Sequence, residues 1–280
     1  MRPDDALYLP EGDPDRAARF IATPWTRGPW DMRTQHGGPP TALMVRAMER
    51  RAAEHGDFQL ARVTADFLRA IPIDRCDLDV ALTRPGRRAL GFECTLAASG
   101  RACARATGLF IRRADVPVPP GLLLADDPVD PTTLGAHEFD FFPDPVGYHS
   151  AMELRLGTCP MEPGSGDGWL RLRGQLVAGE APSPAQRVAV AADAINGVGF
   201  ALDFARWTFV NADLTVYLHR ELEGEYVRLR TRHVSQPAGR GLVDAALGDR
   251  RGPIGRALEA QVLEPRAPVS KASQPAQTSE

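Results

Sequence analysis

Hydrophobic and polar residues follow two different periods in the first half of the chain. Residues 41–53 carry apolar side chains at helical spacing, which predicts a helix with one apolar face. The Gly-Gly-Pro-Pro segment before them is typical of a helix start with proline in the first turn. Alternating segments predict an early strand and then a four-stranded antiparallel meander, at residues 20–25, 61–71, 78–83, 90–97 and 102–111.

The second half repeats this order. Strands are predicted at residues 152–156 and 169–176, and a helix at residues 184–202. Four more strands follow, at residues 209–218, 226–234, 242–247 and 254–263. The two halves are faintly similar at an offset of about 150 residues, which indicates a duplicated domain rather than a solenoid.

Composition shifts divide the chain into four segments. Residues 1–16 are expected to form an irregular lead-in, and the N-terminal domain to span residues 17–113. The proline-rich residues 114–146 are interpreted as a linker, and residues 147–265 as the C-terminal domain. The tail, residues 266–280, is poor in apolar side chains and is predicted to be disordered.

Five short motifs, in the same order and on the same elements, resemble those of the double-hotdog acyl-CoA thioesterases. They begin at His36-Gly37-Gly38, Ala192-Asp193, Phe209-Val210, Gly239 and Gly252. The resemblance implies an α+β tandem (double) hotdog fold, in which each half is a curved antiparallel sheet wrapped around a central helix. It also implies hydrolysis of an acyl-CoA, or a related acyl thioester, to the free acid and thiol.

The candidate catalytic residues lie in the second half. Asp193 is a lone carboxylate in an apolar helix and matches the family's catalytic aspartate, where a carboxylate acts as base or orients water. Asn211 matches the position that holds this water. The third family partner is a glutamine, where the best register places Glu259. Gln261 lies two residues on, on the same strand face, so both remain candidates. A glutamate beside Asp193 would add like charge and raise one pKa.

The candidate substrate-binding residues precede the first helix. Free N–H groups at Gly37 and Gly38, together with the helix dipole, are suited to polarising a thioester carbonyl. Many members of the family have an aromatic residue at the position of His36, for which substrate contact, capping and packing are all open. No nucleophile accompanies His36 in sequence, so a Ser/His/Asp triad is not expected.

Two alternatives to hydrolysis remain open. The departure at Glu259 favours a non-catalytic protein that binds or senses acyl-CoA. A hotdog enoyl-CoA hydratase usually carries an Asp/His pair, and the sequence near Asp193 has no histidine, which disfavours that activity.

Charge and composition narrow the expected partners. The net charge of −3 predicts neither a nucleic-acid nor a membrane partner. The polar N-terminus and the lack of long apolar runs favour a cytoplasmic protein. Acyl-CoA is the expected partner, as substrate, and no metal or redox cofactor is implied. Exposed sheet edges favour a homo-oligomer. The cysteines lack metal-site spacing and are interpreted as small buried hydrophobes: Cys76, Cys94, Cys103 and Cys159.

Overall fold

The structure, a computed structural model, describes residues 1–2, 4–13, 18–122, 124, 128–157, 164–199 and 202–266. The tail from residue 267 onward, Cys159 and residues 200–201 of the predicted second helix lie outside these ranges. No helix within them is long and apolar enough to cross a membrane.

In its described residues, the first half contains one long helix and six strands. The helix, α1, spans Gly38–Ala53 and buries Leu43, Met44 and Met48 against the strands that follow. The strands are β1 (Ala6–Pro10), β2 (Arg19–Ala22), β3 (Phe58–Phe67), β4 (Arg75–Arg84), β5 (Ala89–Ala98) and β6 (Arg101–Arg112). The predicted helix and meander are therefore present. The expected irregular lead-in instead contains β1, because Leu7 and Tyr8 are fully buried and pair through β1 with β2.

The second half has the same plan with shorter helices. Its helices are α2 (Tyr148–Ala151), α3 (Pro184–Ala192) and α4 (Ile195–Gly199). Its strands are β7 (Gly135–His137), β8 (Met152–Leu156), β9 (Ser165–Leu172), β10 (Gln175–Val177), β11 (Trp207–Asn211), β12 (Asp213–Leu218), β13 (Val227–Gln236), β14 (Arg240–Asp249) and β15 (Gly252–Pro265). The predicted linker thus contains β7, which pairs with β8.

Two predicted elements are interrupted in the structure, and both interruptions shape the candidate site. The helix predicted over residues 184–202 stops at Ala192, because Asp193 has a low helix propensity and bonds to partners outside the helix. Asp193 therefore lies at the C-cap of α3 and not near a helix centre. The strand predicted over residues 209–218 breaks at Ala212 into β11 and β12.

The strands of both halves form one continuous sheet. The two meanders join where β3 and β12 pair in antiparallel fashion, with Asp66 opposite Asp213. Burial alternates along the strands, as in β5, so one sheet face covers the helices. The predicted α+β architecture of two antiparallel halves, each with a helix against its sheet, is confirmed.

Helices α1 and α3 pack in antiparallel fashion between the halves. At one end, the α-carbon of Gly38 approaches so closely that a Cβ there would lie 2.4 Å from the Val190 carbonyl oxygen. At the other end, Glu49 accepts hydrogen bonds from Ser183 Oγ at 2.8 Å and Gln186 Nε2 at 2.7 Å. The start of α1 is thereby held against the end of α3.

The three cysteines in the described residues agree with their interpretation as buried hydrophobes. Cys76, Cys94 and Cys103 are buried free thiols. Burial raises the pKa of Cys76 to about 11 and that of Cys94 to about 12, so neither is a thiolate at neutral pH.

We expect Gly38→Ala to lower the free energy of unfolding by about 1–3 kcal/mol, because the added methyl group forces α1 away from α3. Denaturant unfolding measures the change. Gly135→Ala is the control, since a Cβ there meets no atom within 4 Å. Equal unfolding free energies for the two variants would show that the helices do not need this close contact.

Candidate active site

Asp193 is the centre of a buried polar cluster between the two halves. Only 2% of the residue is exposed. Its Oδ1 accepts a hydrogen bond from Asn211 Nδ2 at 2.9 Å, and its Oδ2 lies 2.7 Å from His36 Nδ1. At that distance a proton must lie between Oδ2 and Nδ1, because both atoms are otherwise acceptors.

Asn211 connects Asp193 to the last strand. Its Oδ1 accepts from Gln261 Nε2 and from Asn196 Nδ2, each at 2.9 Å. The break at Ala212 ends β11 at Asn211, directly opposite Gln261 in the pairing with β15. With its oxygen held by two amide donors, Asn211 can turn only its NH₂ group toward Asp193.

The structure separates the two candidates for the third position. Gln261 joins the hydrogen-bonded cluster through Asn211. Glu259 is fully buried, and both its carboxyl oxygens have no hydrogen-bond partner within the described residues. The pKa of Glu259 is raised well above its usual value. Burial is the largest cause, followed by the nearby carboxyls of Asp193 and Asp213. Of the two candidates, Gln261 is therefore the one hydrogen-bonded to Asn211, and the expected like-charge effect falls on Glu259.

His36 contacts both Tyr148 and Asp193, and the sequence revealed neither contact. Its ring stacks on Tyr148 with centroids 3.8 Å apart and planes 3° apart. Tyr148 in turn donates its hydroxyl to the Val190 carbonyl at 2.9 Å, in the last turn of α3. The Gly38 N–H lies 3.3 Å from Nδ1, farther than the Asp193 carboxylate, so the Asp193 contact determines the proton on that nitrogen.

The start of α1 presents few backbone donors. Pro39 and Pro40 have no N–H, which leaves Gly37 and Gly38 as donors in the first turn. Gly37 lines the cavity, and its N–H has no acceptor among the described residues. A Cβ at Gly37 would lie 2.8 Å from Asp193 Oδ2 and 2.6 Å from the Phe67 ring, so only glycine fits.

A cavity of about 330 Å³ opens beside this cluster. The polar part of its wall includes residues of this cluster together with four further polar residues: His36, Gly37, Asp193, Asn196 and Asn211, and Asp31, Thr34, Gln35 and Arg69. Most of the rest is aromatic or aliphatic, including Trp30, Phe67, Phe139, Phe141, Phe142 and Phe204. An apolar cavity with a few convergent polar groups is typical of a small-molecule site.

The sequence identified most residues of this cluster but not the hydrogen bonds between them. His36, Gly37, Gly38, Asp193, Asn211 and Gln261 lie together, whereas Glu259 lacks a bond to the others. Asn196, three residues after Asp193, was not among the predicted site residues. Asp193 does have a histidine partner, contrary to what the nearby sequence indicated, because His36 reaches it from the other half. Tyr148 gave no signal in the sequence.

Two further charged residues near these strands have structural partners. Asp213 Oδ1 accepts a hydrogen bond from the Ala260 N–H at 2.8 Å. Arg228 forms a bidentate pair with Asp167. Within the described ranges, no three His, Cys, Asp or Glu side chains are grouped as metal ligands would be.

Both halves of the chain match known family models. The model described as the acyl-CoA thioesterase N-terminal domain matches residues 26–111, and the one described as the acyl-CoA thioesterase C-terminal domain matches residues 125–260. A search of curated protein sequences finds no significant match.

Solved structures share the fold. A candidate thioesterase from Novosphingobium aromaticivorans superposes with a TM-score of 0.70 at 18% identity, covering 92% of this chain and 98% of its own. A hotdog-fold protein from Alicyclobacillus acidocaldarius gives 0.67 at 16% identity, covering 90% and 93%. An acyl-CoA thioesterase II from Mycobacterium marinum gives 0.63 at 13% identity, covering 85% and 92%. At these identities the similarity shows the fold, which confirms the hotdog architecture.

We expect Glu259→Gln to become more stable relative to the unsubstituted protein as the pH rises. The raised pKa keeps Glu259 protonated in the folded state, whereas the same carboxyl in the unfolded chain loses its proton above its usual pKa of 4.5. Above that pH the chain must take up a proton to fold, which lowers the free energy of unfolding. The penalty grows by about 1.4 kcal/mol per pH unit until the folded pKa is reached, and glutamine has no such penalty. Thermal unfolding of both proteins between about pH 5 and about pH 8 measures the difference. A difference independent of pH would show that Glu259 is ionised when folded.

Proposed function

Because the chain belongs to the acyl-CoA thioesterase family and is a thioester hydrolase, we propose that it hydrolyses acyl-CoA with water activated by the Asp193 carboxylate. The family resemblance predicted from the motifs is confirmed by matches to both halves. The observation that carries the mechanism is the buried hydrogen-bonded series from His36 through Asp193 and Asn211 to Gln261, at the wall of an apolar cavity.

Asp193 is the proposed base. Each of its oxygens is already bound to one fixed partner, and each keeps a further lone pair for water. Asn211 and Gln261 hold the carboxylate in one orientation, which reduces the reorganisation needed when the proton moves. A base within hydrogen-bond reach of the attacking water meets the geometric requirement for proton transfer.

The start of α1 supplies the proposed oxyanion contact. The Gly37 N–H has no acceptor in the part of the chain that the structure describes; Gly37 lines the cavity and lies at the positive end of the α1 dipole. A donor aimed at the thioester oxygen stabilises the charge that develops there during attack. Gly38 supports this role by bringing α1 against α3, and thus Gly37 against Asp193.

His36 is the proposed contact to the thioester group. Its Nδ1 is occupied by Asp193, and stacking on Tyr148 fixes the ring plane. Nε2 is the remaining nitrogen of a ring that lines the cavity. His36 therefore both orients the Asp193 carboxylate and offers one polar atom to substrate.

The proposed reaction balances without a cofactor. The water oxygen bonds to the thioester carbonyl carbon as one water proton moves to Asp193. The tetrahedral intermediate then collapses, the carbon–sulfur bond breaks, and the thiolate leaves with the bonding electron pair. The proton held by Asp193 passes to the thiolate, which gives the free acid and the CoA thiol and restores the carboxylate.

We expect Asp193→Asn to lower kcat for acyl-CoA hydrolysis by about 10²–10⁴-fold, because asparagine keeps the shape but cannot accept the water proton. Release of free thiol from a series of short to long acyl-CoAs measures the rate. Asp244→Asn is the matched control, since Asp244 is paired with Arg256 on the exposed surface. A kcat for Asp193→Asn close to that of the control would refute the role of Asp193.

Hydration of an enoyl-CoA is a second candidate activity, favoured by one observation. The 2.7 Å contact between His36 and Asp193 supplies the Asp/His pair that such chemistry uses. With a short trans-enoyl-CoA, hydrolysis releases thiol and keeps the conjugated double bond in the product acid, whereas hydration removes the conjugation and releases no thiol. We expect thiol release with the conjugation retained, and loss of conjugation without thiol would establish hydration instead.

A further inference from the structure

Four aromatic rings in the cavity wall are stacked nearly parallel to one another. Trp30, Phe204, Phe141 and Phe142 follow one another with centroid distances of 5.1, 3.7 and 5.1 Å. The angles between successive planes are 21°, 11° and 28°. All four residues line the cavity. We call them the ring stack.

The faces of these rings are already covered by one another. Within the described residues Trp30 and Phe141 make no ring contact with each other, so they cover opposite faces of Phe204. The ends are covered too, because the Arg266 guanidinium lies 5.5 Å from the Trp30 ring centroid and His149 stacks on Phe142 at 4.3 Å. The ring stack therefore presents mainly ring edges to the cavity.

Ring edges carry the positive part of the aromatic quadrupole, and ring faces carry the negative part. A wall of edges attracts the face of another aromatic ring in edge-to-face geometry, whereas a saturated chain of the same size gains only from burial. On this basis, and resting on the proposed thioesterase function, we propose that the preferred substrate is an arylacyl thioester whose ring lies against the ring stack.

The size of the cavity agrees with such a group. A cavity of about 150 Å³ holds one benzene molecule. The cavity here is about 330 Å³, which leaves room for the thioester beside a single ring.

The ring stack differs from rings that only fill the core. Phe209 is 2% exposed, contacts Trp30 and Phe204 edge-on and is absent from the cavity wall. Members of the ring stack remain partly exposed and border the space next to Asp193. Packing alone would not require four parallel rings to border that space.

Three acyl-CoAs of similar shape test the proposal with the full-length protein: phenylacetyl-CoA, cyclohexylacetyl-CoA and pentafluorophenylacetyl-CoA. The first has the normal quadrupole, the second has none, and the third has a reversed one. We expect kcat/KM for phenylacetyl-CoA to exceed that for cyclohexylacetyl-CoA by about tenfold, with pentafluorophenylacetyl-CoA lowest despite its more electrophilic carbonyl. Equal values for the first two, or the reverse order, would overturn the proposal.

A variant locates the effect. Phe204→Leu removes one ring of the stack but keeps apolar bulk, so the ratio of phenylacetyl to cyclohexylacetyl turnover should fall severalfold. Phe110→Leu is the matched control, since Phe110 lies in the N-terminal core outside the cavity wall and should leave the ratio unchanged. An unchanged ratio in Phe204→Leu would overturn the assignment to the ring stack.

Binding separates failure of this proposal from failure of the hydrolysis proposal. If no acyl-CoA releases thiol, hydrolysis by Asp193 is wrong, and the rise in melting temperature with each of the three compounds becomes the readout. A larger rise in melting temperature with phenylacetyl-CoA than with cyclohexylacetyl-CoA supports an arylacyl ligand. Equal rises in melting temperature reject it.

Discussion

The close crossing of α1 and α3 is the constraint on which the candidate site depends. Because Gly38 lacks a side chain, the start of α1 lies against the Val190 carbonyl, three residues before Asp193. This contact brings a free backbone donor at Gly37 next to a buried carboxylate from the other half of the chain. Neither half contains the site alone, so the site requires the two halves to pack against each other.

Burial of a carboxylate is costly unless its oxygens are hydrogen-bonded. Asp193 meets this condition through its contacts with Asn211 and His36. Glu259 is equally buried without partners, and its raised pKa keeps it neutral. One carboxylate is thus stabilised by fixed hydrogen-bond partners, while its neighbour adds no negative charge beside it.

Successive residues on one face of a strand lie about 7 Å apart. The pairing register between two strands therefore decides which of these side chains reaches Asn211. Pairing of β11 with β15 places Gln261 opposite Asn211, and Glu259 is left one pleat repeat away. The register therefore places Gln261, and not Glu259, in contact with Asn211.

Much of the fold was determined by the sequence itself: the two helical segments, the strand meanders and the candidates Asp193, Asn211 and Gly37 follow from local periodicity and short motifs. The tertiary structure alone decided the interruption at Asp193, the hydrogen bond of Gln261 rather than Glu259 to Asn211, the contact with His36 and the aromatic wall. These depend on strand register and on packing between segments far apart in the chain. Local pattern encodes which face of an element is buried, but not which distant side chain it meets there.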